Sequence, residues 1–226
     1  MPSVSHRLPL FPLGTVLVPG LVLPLHVFEE RYRTMVRELL ELPEQERRFG
    51  VITIRQGREG GADGVQALYD IGCVAHVRRA DSYDDGRFDL VSTGTARFAL
   101  RDLDESGPYL VGEVDVLPYE MGISAEGPLL DAAVRAAFPA YLAALAKASG
   151  EQVPVPDLPD SPLVLGYLVA ATTALDLDER QRLLAAPDGA SRLRAELALL
   201  RREVTLLSRL SAAPAPELAR GPVSLN

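Results

Sequence analysis

Near residue 120 the hydrophobic pattern of this chain changes, and that change constrains the fold more than any single residue does. Before it, short apolar runs are broken by Pro, Gly and Asp at the spacing of roughly 8–12 residues that marks strands and turns. After it, Ala, Leu, Arg and Glu dominate, and apolar residues recur in steps of three and four. The expectation is an α+β chain: a strand-rich part over 1–118, a connector at 119–128, a helical part over 129–210 and a flexible tail at 211–226.

Within the first part, apolar pieces at 8–13 and 15–25 are punctuated by Pro9, Pro12, Pro19, Gly20 and Pro24. Then the period shifts. Phe28, Tyr32, Met35, Val36, Leu39 and Leu40 fall on one face of an amphipathic helix. Glu29 and Glu30 suit its positive N-terminal end, and Pro43 stops it. Glu29 and Arg33 stand four apart, the spacing of a surface ion pair. Strands are expected at 49–55 and 67–79, with a loop at 57–64 between them. Asp84-Asp85-Gly86 is a hairpin turn signal, and strands at 87–92, 95–103 and 109–117 complete a meander. Gly72 and Gly94 are isolated strand glycines that mark bulges or tight bends. Six or seven such strands suggest a barrel or folded sheet with one helix inserted early.

In the second part, 129–148 reads as a helix that Pro139 kinks or divides. A Pro-rich loop at 149–162 precedes an apolar helix at 163–175, expected to be buried all round, and a short helix at 178–185. Asp188 can cap the last helix, whose Leu193, Leu197, Leu200, Val204 and Leu207 alternate steps of four and three. That seam runs for less than three heptads beside helices that need a partner, so an intramolecular bundle is expected rather than a coiled coil.

Composition removes several activities. Of 23 basic residues one is lysine, Lys147, and it stands in Leu145-Ala146-Lys147-Ala148. A phosphate-binding P-loop ends in Gly-Lys-Ser/Thr, so no Walker ATPase is encoded, and a Ser-Lys protease has a single poor candidate. The net charge of −8 opposes general nucleic-acid binding. Cys73 is the one cysteine, so no internal disulfide forms, which fits a reducing cytoplasmic setting. The prolines in 8–28 break what would otherwise resemble a signal segment, and no unbroken apolar run reaches a membrane-spanning length.

The candidate chemistry is sparse. His6, His26, His76 and Cys73 lack local metal-ligand spacing, so no metal or cofactor is expected. Cys73 and His76 lie three apart on one strand and face opposite ways, which excludes a dyad within it. Gly-x-Ser-x-Gly does not occur, and Asp84, Asp85 and Asp89 suit a solvated turn. No catalytic residue emerges. Binding chemistry remains: exposed strand edges or apolar grooves can accept an extended peptide.

The order of motifs is more specific. Leu8-Pro9-Leu10-Phe11-Pro12-Leu13 leads to Val18-Pro19-Gly20, then to Leu23-Pro24-Leu25-His26-Val27-Phe28-Glu29-Glu30-Arg31-Tyr32. Phe49-Gly50-Val51, Gly72-Cys73-Val74-Ala75 and Gly94-Thr95-Ala96-Arg97-Phe98 follow, with Gln181-Arg182-Leu183-Leu184, Arg192-Leu193 and 200–203 in the helical part. Over nearly all of 8–210 this resembles the amino-terminal, substrate-binding domain of Lon proteases and its stand-alone relatives. The resemblance implies a PUA-like, mixed-strand pseudo-barrel with an inserted helix, followed by a helical subdomain. It implies recognition of unfolded or degron-bearing polypeptides, with the ATPase and Ser-Lys protease modules lying downstream of the region this chain matches.

The function expected is therefore a non-catalytic peptide- or protein-binding module, adaptor or chaperone-like in use, monomeric or weakly self-associating, with no nucleic-acid or membrane partner. Leu10, Phe11, Leu25, Phe28 and Tyr32 are the candidate apolar contacts, with Glu29 and Arg31 at their rim. The Pro-rich loop at 149–162 is a second candidate. The alternatives are a hydrolase whose site the motifs do not reveal, and an RNA-binding PUA-like protein.

Overall fold

In the computed structural model, which describes residues 6–57, 65–118 and 125–212, seven strands precede four of the five α-helices. The first part holds β1 (His6–Leu13), β2 (Val22–Val27), α1 (Glu30–Glu41), β3 (Arg48–Gly57), β4 (Val65–Leu68), β5 (Ile71–Ser82), β6 (Phe88–Asp104) and β7 (Val111–Val116). The second holds α2 (Gly127–Ser149), α3 (Pro162–Thr172), α4 (Leu177–Ala185) and α5 (Gly189–Ala212). The loop expected at 57–64, most of the connector and the tail lie largely outside the described residues.

Strand pairing closes a ring because β1 changes partner along its length. Residues 6–9 run antiparallel to β7, and residues 10–13 run parallel to β3. Antiparallel pairs β3–β5, β5–β6 and β6–β7 complete the circuit. β2 lies outside the ring against β6, and β4 extends β3. Leu10, Ile52, Val74, Phe98 and Val114 fill the interior. Space for the two largest is made by glycine. A Cβ on Gly50 would stand 2.7 Å from Leu10 Cδ2, and one on Gly112 would stand 2.9 Å from Leu10 Cδ1. A Cβ on Gly72 would overlap the Phe98 ring. Burial of Phe98 or Leu10 contributes about 1.5–3 kcal/mol each.

One outer face of the ring is covered by α1 and β2. Tyr32, Met35, Val36 and Leu39 are the buried stripe of α1, packed on Phe11, Phe49, Val51, Cys73 and Phe88. Arg47 donates to the Leu40 and Leu42 carbonyls, satisfying the end of the helix that Pro43 stops. Arg33 donates to the Asp85 and Gly86 carbonyls and so pins the β5–β6 hairpin, whose Gly86 has φ +81°.

Several expectations are corrected. The long strand at 67–79 is broken at Tyr69-Asp70 into β4 and β5. Conversely, 87–92 and 95–103 are one strand, β6, with a register shift at Gly94-Thr95. Gly94 is needed there, because a Cβ would run into the Val18 carbonyl oxygen. Phe28 lies outside the helix and is exposed, so it takes no part in the α1 stripe. The ion pair is not Glu29–Arg33. Glu29 meets Arg31 at 2.8 Å, while Arg33, drawn to the hairpin, meets Glu30 at 2.9 Å.

In the helical part Pro139 stays inside one continuous α2. Val134, Phe138, Tyr141 and Leu142 of α2, Leu165 and Val169 of α3, and Leu193, Leu197 and Leu200 of α5 share one core. α3 is not buried all round, since Val164 is exposed. α2 is the described helix with the length and composition of a membrane span, though Asp131 and Arg135, paired at 2.8 Å, interrupt it. The Asp188 side chain accepts from the Ser191 N–H at 2.7 Å, as expected for a cap. The Pro-rich loop is tied down by Val153 and Leu158 on the helical core and by Arg135, which donates to the Asp160 carbonyl.

α4 joins the two parts. Buried Arg97 of β6 donates to the Leu184 and Ala186 carbonyls at 2.9 and 2.5 Å. Arg192 donates to the Leu183 carbonyl at 3.0 Å and lies 4.0 Å over the Tyr167 ring. Gln181 donates to the Ile71 carbonyl at 2.8 Å. These three side chains satisfy carbonyls at the end of α4 and the start of β5, while Val16, Val18, Tyr167 and Leu184 close the seam. The motif residues Arg97, Gln181 and Arg192 therefore have a structural task.

Candidate functional site

The alternation of β2 decides which side chains face solvent. Leu23, Leu25 and Val27 turn inward, while Val22, Pro24, His26 and the following Phe28 are exposed. No strand pairs with the outer edge of β2 among the described residues. Pro24 has no N–H to offer a ladder, which suits it to an edge strand.

The register of β2 against β6 places His26 opposite Asp89. His26 Nδ1 lies 2.6 Å from Asp89 Oδ1, and the Tyr83 hydroxyl donates to Asp89 Oδ2 at 2.5 Å. The Phe28 and Tyr83 rings lie 6.3 and 6.1 Å from the His26 ring. Arg87 lies 5.6 Å from the Tyr83 ring and is paired with Asp85 at 2.7 Å. The Tyr83 hydroxyl, then His26, hold the Asp89 carboxyl below its ordinary range, and Asp89 in turn pushes the Tyr83 phenol up. The hydrogen bonds lock an aromatic patch in one arrangement at the surface.

The predicted contact residues separate into two layers. Phe28 is 62 % exposed and Leu25 is half-buried beside it. Glu29 and Arg31 are partly exposed and bonded to each other. Leu10, Phe11 and Tyr32 are 0 %, 7 % and 3 % exposed. Leu10 is inside the ring, and Phe11 and Tyr32 stack beneath α1, so these three do not form part of an open contact surface. They are apolar because the core needs them there. His26, Tyr83, Arg87 and Asp89 were not singled out as contacts. The period-two series Val22, Pro24, His26, Phe28 is the signal that marks this outer face.

The His26–Asp89 pair resembles the orienting half of a hydrolase triad, but the side chains around it are Tyr83, Arg87 and Phe28. Cys73 is buried on the opposite side of the sheet from His76, which instead meets the Glu44 carbonyl at 2.7 Å. No group of three or more His, Cys, Asp and Glu suited to a metal occurs among the described residues.

Comparison with known proteins gives this fold a family. The profile of the ATP-dependent protease La (LON) substrate-binding domain matches residues 7–202. The chain is similar to Lon protease 2 of Syntrophobacter fumaroxidans, 27 % identical over 82 % of this chain and 23 % of that protein. It is similar to Lon protease 2 of Myxococcus xanthus, 29 % identical over 91 % of this chain and 24 % of that one. The chain thus spans about a quarter of the length of these curated relatives. The crystal structure of a Lon N-terminal domain protein from Xanthomonas campestris superposes with a TM-score of 0.61 at 27 % identity, covering 85 % of this chain and 98 % of that one. The N-terminal domain of a Mycobacterium avium complex Lon protease shares the fold, with a TM-score of 0.59 at 17 % identity over 88 % and 98 % of the two chains. With a ring of strands, an inserted α1 and a helical part locked through Arg97, this chain belongs to the Lon substrate-binding domain family.

Proposed function

We propose that this protein is a non-catalytic module that binds unfolded or degron-bearing polypeptide segments, in the manner of an adaptor or chaperone-like receptor. The observation that carries the reading is the outward aromatic and apolar strip of Val22, Pro24, His26 and Phe28 beside Tyr83, on an edge strand. Exposed large apolar side chains gathered on one face mark interaction surfaces. Leu25, Glu29 and Arg31 flank the strip, while Phe11 and Tyr32 support it from below. The family membership favours a polypeptide over other ligands. In this reading the ring and helices are a PUA-like barrel and a helical bundle that hold the strip, and the protein acts in the cytoplasm as a monomer or weak oligomer.

The test uses fluorescein-labelled, reduced and carboxymethylated lactalbumin as a permanently unfolded probe, read by anisotropy. Phe28→Ala and Tyr83→Ala are each expected to weaken binding about tenfold, equivalent to about 1.4 kcal/mol, at unchanged melting temperature. Wild-type affinity in both folded variants overturns the site.

A further inference from the structure

One end of the ring of strands is lined as a receptor. A cleft of about 470 Å3 lies where β1 begins and β7 ends. Leu8, Val74, Ala96 and Val114 form its floor, continuous with the interior residues Leu10 and Phe98. Its walls include Leu42 and Val116, both exposed apolar side chains. Volume and lining fall within the range of sites that take a side chain or small ligand, and barrel mouths are favoured places for them.

The rim differs in charge from the rest of the molecule. In a chain of net charge −8, it carries His6, Arg7 and Arg48 against one carboxylate, Glu46. Arg7 is paired with Asp104 at 2.7 Å. Arg48 uses only Nε, donating to the Gln45 carbonyl at 3.1 Å, and its terminal nitrogens have no partner among the described residues. A planar guanidinium with two unused donors is suited to a carboxylate. Beside it, β1 pairs with β3 only from Leu10 onward, so among the described residues the backbone at Arg7 has no strand partner on the cleft side. An unpaired strand edge accepts an extended main chain.

We propose that this cleft is a second, more selective polypeptide site, separate from the Phe28 surface. It takes an extended segment in which an aliphatic residue adjoins an acidic one. The aliphatic side chain enters the mouth over Ala96 and Val114, and the carboxylate meets Arg48. The unpaired backbone at Arg7 favours a peptide over a free fatty acid.

Labelled Gly/Ser decapeptides with Leu-Asp, Leu-Asn or Ala-Asp at their centre provide the test, again by anisotropy. Wild type is expected to bind the Leu-Asp peptide about tenfold more tightly than either control. Arg48→Gln abolishes the preference for Asp over Asn and leaves that for Leu over Ala. Ala96→Leu, which fills the floor, weakens both Leu peptides. In Phe28→Ala the preference for Leu-Asp over both control peptides is expected to persist whatever the loss at the Phe28 surface, so the two sites fail or survive separately. Equal wild-type affinity for all three peptides overturns the proposal, as does a preference for Asp that persists in Arg48→Gln. Displacement of the peptide by octanoate at an equal concentration assigns the cleft to lipid and overturns it also. Arg48 is exposed, so its variant tests the idea even where Ala96→Leu fails to fold.

Discussion

The ring of Tyr32 lies 4.0 Å from that of Phe11 and 12° from parallel to it, and the Arg31 guanidinium stands 4.6 Å from the same Tyr32 ring. This stack runs from the core toward the surface and gives two neighbouring aromatic residues of one motif opposite duties. Tyr32 holds α1 to the ring of strands, while Phe28 faces solvent.

Tyr32→Ala is expected to cost about 3–5 kcal/mol of stability, the range for truncating a buried aromatic. Phe28→Ala is expected to stay within about 0.5 kcal/mol of wild type. Urea unfolding followed by circular dichroism separates them, and equal losses in the two variants contradict the two-layer arrangement.

Arg97→Ala leaves the Leu184 and Ala186 carbonyls without their donor inside the seam. A loss of about 3 kcal/mol or more is expected, since removing one partner strands buried polar groups. Amide hydrogen exchange is expected to speed up across Leu177–Ala185 before the ring of strands responds. Faster exchange confined to β6 tells against α4 as the element that Arg97 holds.

Glu196 is 1 % exposed, and neither carboxyl oxygen has a hydrogen-bond partner in the structure. Burial pushes its carboxyl well above the ordinary 4.5, and Arg192 one turn away only partly opposes this. Folding therefore takes up a proton at Glu196. Its contribution to stability is fully present below about pH 4.5 and is lost as pH rises through the raised value. Urea midpoints measured from pH 5 to 8 are expected to fall more steeply for wild type than for Glu196→Gln. Parallel curves refute the assignment.

Burial also pushes the Cys73 thiol up to about 12. Since the thiolate is the reactive species, the native protein is expected to be inert to Ellman's reagent at neutral pH and to release one equivalent on unfolding. Rapid reaction of the native state is the contrary result.

What was legible in the sequence was local. The α1 stripe from Tyr32 onward, the hairpin turn around Gly86 and the Asp188 cap depend on neighbours a few residues away, and each lies where spacing places it, whereas Phe28, at the head of the same spacing, falls outside the helix. Strand number suggested a barrel or folded sheet, but the partner switch of β1 that closes the ring has no local signal. The bulge at Gly94-Thr95 resets the strand period, so β6 looks like two strands. The candidate site was half legible for a similar reason. Leu10, Phe11, Phe28 and Tyr32 are equally apolar in the sequence, and only register and packing tell an inward ring from an outward one. Arg97, Gln181 and Arg192 stood out as motif residues, yet their carbonyl partners lie 87, 110 and 9 positions away, too varied a set for spacing to reveal.

The ring closes only when His6 meets Val114, so the first of the seven strands waits for the seventh. At roughly 5–20 residues per second, that wait is about 5–20 s for residues 6–9, and about 2–8 s for residues 10–13, which need only β3, in a strand reading Leu8-Pro9-Leu10-Phe11-Pro12-Leu13. Such a segment is a ready template for wrong pairing while it has no partner. Pro9 and Pro12 each remove a backbone donor from it. In the finished ring they look like minor interruptions, whereas on the nascent chain they guard it against its neighbours.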